Sequence, residues 1–217
     1  MAPNLELLTP LRQSLDGGPF AAEEAGHSEP AAGRYVEAVT ESVILLLSGS
    51  LRAGSSNEVM LRTAREVAPP GVRAVRYTGL ADLPHFNPDD DTDPLPAPVT
   101  GLRAAIAEAD ALLICTPEYA GTLPGSFKNL LDWTVGGTEI GDKPSAWVTA
   151  AAPGRGGGAA ATLRTVLGYT GAAIVDEACV HLPVDRAQVD EAGVITDPGV
   201  RARLAETITR LLDAVGG

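Results

Sequence analysis

The chain has 217 residues, a formal charge of −12 at pH 7 and 45% apolar residues. That length suits one α/β domain with a buried core, and the acidic balance excludes nonspecific binding to nucleic acid or to an anionic membrane surface. No apolar run approaches the roughly 20 residues of a membrane-spanning helix. The N-terminus shows no basic-plus-apolar leader pattern, and Cys115 and Cys179 sit in apolar runs with no Cys-x-x-Cys. A cytoplasmic protein without a metal site is expected.

Residues 1–41 form a separate compositional block, rich in Ala, Glu, Gly and Pro, with seven acidic residues against two arginines. Such a segment buries too little apolar surface to order itself, so a flexible acidic extension is expected, followed by one domain over 42–217. From Val43 strands and helices alternate. Residues 43–47 form a continuous apolar run, as a strand buried on both faces does. Residues 57–67 have a helical pattern stopped by Pro69, Pro70 and Gly71. Residues 72–77 alternate like a strand, and Arg73 and Arg76 suit an edge position.

A Pro/Asp-rich loop then runs over 78–98. Residues 99–109 read as helix, 111–115 as a second buried strand, 123–133 as helix and 145–150 as strand. Residues 159–167 read as helix, 172–182 contain a strand broken near Asp176, and 200–215 close the chain as an amphipathic helix. This order predicts a doubly wound, five-stranded parallel sheet with helices on both faces. Ligands of such sheets bind beyond the carboxyl ends of the strands, where strand order reverses.

The first strand runs directly into Gly49-Ser50-Leu51-Arg52-Ala53-Gly54-Ser55-Ser56-Asn57. A phosphate needs backbone N–H groups, short hydroxyls and a cation in one concave turn at a helix N-terminus. Here Ser50, Ser55 and Ser56 supply hydroxyls, Arg52 the cation, and Asn57 a natural helix cap. The Gly-x-x-x-x-Gly frame suggests a nucleotide triphosphate loop, but Ser55 stands where that loop needs lysine. A plain Gly/Ser turn and a monophosphate site remain.

The second loop reads Ile114-Cys115-Thr116-Pro117-Glu118-Tyr119-Ala120-Gly121-Thr122-Leu123-Pro124-Gly125. Taken with the first, it resembles the NADPH-dependent FMN reductase family, which includes flavin, quinone and chromate reductases. The resemblance spans about residues 42–215 and implies a flavodoxin-like fold with FMN at the switch point. Carried over, Ser50, Arg52, Ser55 and Asn57 hold the FMN phosphate, while Pro117, Glu118, Tyr119 and Gly121 lie against the ring and ribityl chain. A rigid Pro-Glu-Tyr turn offers the flat contact and backbone donors that a flavin ring needs. Lys128, Asn129, Asp132 and Trp133 read as a helix surface with a core tryptophan, Trp133 being also a candidate subunit contact.

The third loop runs Ala150-Ala151-Ala152-Pro153-Gly154-Arg155-Gly156-Gly157-Gly158. The family commonly has serine where Ala152 stands, which removes one hydrogen bond near the flavin. Pro153, Gly154 and Gly157 are expected wall residues, and Arg155 is a candidate to neutralise a reduced flavin. A rival reading takes Gly154-x-Gly156-x-x-Ala159, with Asp176 about 20 residues on, as a dinucleotide fingerprint. It begins too late in the chain for a full dinucleotide domain and leaves the first two loops unexplained.

The run Asp89-Asp90-Asp91-Thr92-Asp93 fails as a calcium loop at Pro94 and Thr100 and reads as solvated charge. His85 is either a surface residue or a substrate contact, and His27 and His181 have no evident partner. The resemblance implies hydride transfer from NADPH or NADH through bound FMN to a small-molecule electron acceptor such as flavin or quinone. It involves no side-chain nucleophile, and Tyr119 and Arg155 are the residues that bear on rate. A homodimer or homotetramer is implied. A flavodoxin-like electron carrier and a non-catalytic FMN-binding protein are the alternatives.

Overall fold

The computed structural model describes residues 41–216. The expected extension over 1–41 lies, but for Glu41, outside them.

The strands are β1 (Ser42–Ser48), β2 (Val72–Arg76), β3 (Ala111–Cys115), β4 (Pro144–Thr149), β5 (Ala173–Ile174) and β6 (Val180–His181). The helices are α1 (Ser56–Val67), α2 (Ala97–Ala107), α3 (Gly125–Asp132), α4 (Gly157–Thr170) and α5 (Pro198–Asp213). The sheet order is β2-β1-β3-β4-β5, all parallel, with β6 also pairing β4. This is the flavodoxin-like order, and its switch point lies between β1 and β3. β2 is the edge strand that Arg73 and Arg76 led us to expect.

The side-chain period of two divides β1 between two cores. Ile44 and Leu46 pack with α1 and α5, whereas Leu45 and Leu47 pack with α2, α3 and α4. All four are at most 2% exposed, which is why the run carries no polar residue. Residues 172–182 give two short pieces rather than one strand, because a helical turn at Asp176–Ala178 interrupts them.

Three local expectations are corrected. The cap of α1 is Ser55, whose hydroxyl accepts from Glu58 N at 3.2 Å, so Asn57 lies inside the first turn. Trp133 is fully buried, donating from Nε1 to Pro84 O at 2.9 Å, and is therefore core and no subunit contact. The acidic loop is not solvated throughout. Asp91 meets the Arg103 guanidinium at 2.7 Å, both side chains being 11% exposed, and Arg103 also donates to Trp133 O from Nε and Nη2.

Candidate functional site

Three loops at the carboxyl ends of β1, β3 and β4 enclose a cleft of about 550 Å³, within the size range of small-molecule sites. Ser50, Arg52, Ser55, Ser56 and Asn57 line it from the first loop, and Thr116, Pro117, Glu118 and Tyr119 from the second. Ala150, Ala151, Ala152, Arg155 and Gly156 line it from the third, joined by Val184 and Arg186.

The first two loops touch. A Cβ on Gly49 would stand 2.0 Å from Thr116 Oγ1, so glycine alone fits between them. Gly49 N donates to Cys115 O at 3.0 Å. The start of α1 forms one end of the cleft. Ser55 Oγ takes the Glu58 N–H, but the N–H groups of Ser56 and Asn57 have no acceptor among the described residues. Unsatisfied donors at a helix start, with serine hydroxyls and arginines around them, suit an anion.

Glu58 anchors this loop from behind, accepting from Gly54 N at 2.9 Å and Arg76 Nη1 at 2.7 Å. Burial acts to raise the Glu58 pKa, but the Gly54 bond and the charges of Arg76 and Arg62 outweigh it, and the value is lowered. Asn57 is buried, and its Oδ1 accepts from Cys115 Sγ at 3.3 Å. Burial pushes the Cys115 thiol up to about 12, so it stays neutral.

The second loop turns over Tyr119 and Thr122, whose backbones exchange bonds of 3.0 and 3.1 Å. Ala120 and Gly121 both have positive φ, 51° and 76°, as a tight primed turn requires. Tyr119 is 57% exposed and lines the cleft. The Glu118 carboxylate points elsewhere, accepting from Gly158 N and Ala159 N at the start of α4. It caps that helix, and only its backbone remains available to a ring.

Of the expected site residues, Gly121, Pro153, Gly154 and Gly157 do not line the cleft. Gly121 serves the turn, whereas Gly154 and Gly157 line a separate hollow beside it with Trp147, Arg164 and Asp176. Asp176 pairs with Arg164, so it has the role of an ion-pair partner here. His181, at the end of β6, has a partner after all, its Nε2 lying 2.7 Å from Ala151 O. His85 is exposed outside the cleft. Sequence reasoning missed Thr116, Val184 and Arg186, and only the bare cation of Arg186 offered a signal.

The charge distribution is uneven. Eight of the described arginines pair with carboxylates. Of the four without such a pair among the described residues, three line the cleft, namely Arg52, Arg155 and Arg186. Among the described residues, three of the four unpaired guanidinium groups thus gather at one hollow, and only Arg65 lies outside it. No cluster of potential metal ligands occurs among the described residues. None of the described helices is long and apolar enough to cross a membrane.

A family model described as NADPH-dependent FMN reductase matches residues 43–186. The quinone reductase of Escherichia coli (strain K12) is 30% identical over 174 residues, 76% of this chain and 91% of its own length. A 2-hydroxy-1,4-benzoquinone reductase of Burkholderia sp is 30% identical over 165 residues, 74% of this chain and 89% of its own. Among solved structures, FerB, a flavoenzyme NAD(P)H:(acceptor) oxidoreductase from Paracoccus denitrificans, has a TM-score of 0.71 at 27% identity. It covers 80% of this chain and 97% of its own.

Proposed function

For a chain that belongs to the NADPH-dependent FMN reductase family, we propose that FMN sits in the cleft with its phosphate on the loop at the start of α1. The enzyme is an FMN-dependent NAD(P)H oxidoreductase that passes electrons to an acceptor such as a quinone or a flavin. FMN supplies, when bound, the centre that takes hydride from NAD(P)H and yields electrons to the acceptor.

The residues of this chain bind and orient. Ser50, Arg52, Ser55 and Asn57, with the free N–H groups of Ser56 and Asn57, fit a phosphate dianion. Pro117, the Glu118 backbone and Tyr119 suit the ring, with Thr116 and Ala150 to Ala152 completing an uncharged wall. Arg155, at the edge of that wall, would favour negative charge on a bound ring. The loop has no hydroxyl at Ala152, so its backbone N–H groups would be the donors nearest that position for a bound ring. The half-exposed Tyr119 leaves the cleft mouth open to NAD(P)H and then to the acceptor, which supports ping-pong kinetics in one pocket.

The observation that carries this reading is the set of unsatisfied donors and unpaired arginines around one cleft. The full-length protein is expected to bind FMN at one equivalent per chain, which mass and absorbance of the released flavin test. A protein that binds no flavin contradicts it. A homodimer or homotetramer is the assembly that the family resemblance implies, and light scattering tests it.

A further inference from the structure

We propose that Arg186 is a second cation of the phosphate end of the cleft, recognising a phosphate monoester together with Arg52 and so selecting FMN over the uncharged riboflavin. This assignment rests on the reading of the cleft as the FMN site. Arg186 lies 134 positions along the chain from Arg52 and outside every motif of the first three loops. It nonetheless lines the cleft with Ser50, Arg52 and Ser55. It also lines a smaller hollow behind the same loop, with Gly54, Ser56 and Val59. Two hollows share Ser56, Val184 and Arg186, which sets Arg186 beside the start of α1, where the N–H groups of Ser56 and Asn57 have no acceptor among the described residues.

The backbone that carries Arg186 is fixed to the same helix. Asp185 caps the turn at Arg186–Gln188, accepting from Ala187 N at 2.9 Å. Gln188 O accepts from Thr196 N at 2.8 Å, and Val189 bridges Ile195. Ile195 N donates to Thr63 Oγ1 on α1 at 3.0 Å, and Arg62 of α1 donates to Ala192 O at 2.5 Å. The segment 185–196 is therefore a strap tied to the helix that begins at the phosphate loop. No carboxylate pairs with the Arg186 guanidinium among the described residues, although Asp185 adjoins it and the chain carries a charge of −12. A guanidinium left free there, beside a second one, matches the two negative charges of a phosphate monoester.

The test titrates the full-length protein with FMN and with riboflavin, following flavin fluorescence, in the wild type, Arg186→Gln and Arg52→Gln. Arg186→Gln is expected to weaken FMN about tenfold, the worth of one charge-assisted contact, and to leave riboflavin affinity unchanged. Because the Arg186 side chain has no hydrogen-bond or ion-pair partner among the described residues, the melting temperature of the unliganded variant is expected to equal that of the wild type. Unchanged FMN affinity in Arg186→Gln overturns the assignment, and a raised KM for NADPH but not NADH in that variant then gives Arg186 to the phosphate of the donor. An equal loss for both flavins also overturns it, as a general disturbance of the cleft. A wild-type protein that binds neither flavin overturns the reading of the cleft itself.

Discussion

Glu118 Oε2 lies 2.7 Å from Gly158 N and 3.1 Å from Ala159 N, so a residue of the second loop caps the helix that follows the third. The carboxylate meets two otherwise orphaned donors and the positive end of the α4 dipole. A Cβ on Gly158 would stand 2.1 Å from Gly121 O, so this approach also depends on glycine. Two walls of the cleft are joined at one point.

Removing that joint is expected to loosen the site. Glu118→Ala leaves two part-buried donors unmet, at a cost of about 1–3 kcal/mol, and is expected to weaken FMN. Gly158→Ala disturbs the same contact sterically. Gly157→Ala, with nothing within 4 Å of its Cβ, is the control and is expected to leave stability unchanged or slightly higher. Urea unfolding and FMN titration of the three variants check this.

Arg103 offers a test of the fold apart from the site. Its guanidinium ties Asp91 and the Trp133 carbonyl under the 84–95 loop. Arg103→Ala strands a nearly buried carboxylate, and a loss of about 3–5 kcal/mol is expected. Arg103→Ala combined with Asp91→Ala is expected to cost less than Arg103→Ala alone, since no charge is then left unpaired. Equilibrium unfolding of the two variants measures the difference.

Much of this was legible in the sequence. The unbroken apolar runs at 43–47 and 111–115 identified central strands, and their following loops identified the site end of the sheet. Other features depended on partners distant in the chain. Glu118 follows a proline in a loop that lines the cleft, and nothing local shows that its side chain turns to α4. Ser55 and Asn57 are equally good caps by type, and the choice falls to the residue where the phosphate loop ends. Asp91 reads as solvated until Arg103, twelve residues on, folds beneath it. Arg186 becomes a cleft residue only through the strap that joins 195 to 63.

Acid is expected to release the loop between β1 and α1. The Glu58 carboxyl has its pKa lowered in the folded protein, against its burial, by the Gly54 N–H and the Arg76 and Arg62 charges. A lowered value means that its stabilising contribution is present above the ordinary carboxyl pKa of 4.5 and is lost as pH falls through the folded value. Stability measured from pH 6 down to about 3 should thus fall less steeply in Glu58→Gln. An identical pH profile for variant and wild type contradicts the role given to Glu58.

Alkali acts in the opposite sense on Cys115. Burial pushes its thiol from 9.0 up to about 12, so the protonated form is favoured by folding. Its contribution is complete below pH 9 and is lost as pH rises toward 12. Cys115→Ala is expected to flatten the alkaline limb of the stability profile. Native protein at neutral pH is expected to leave Cys115 unlabelled by iodoacetamide, with full labelling after denaturation.

The most direct test of the central claim is the visible spectrum of the FMN-loaded protein on anaerobic addition of NADPH or NADH, followed by a quinone. The account predicts that the flavin absorbance bleaches with the nicotinamide alone and returns on adding the quinone, with no partner protein present. A bound flavin that neither nicotinamide bleaches would contradict it.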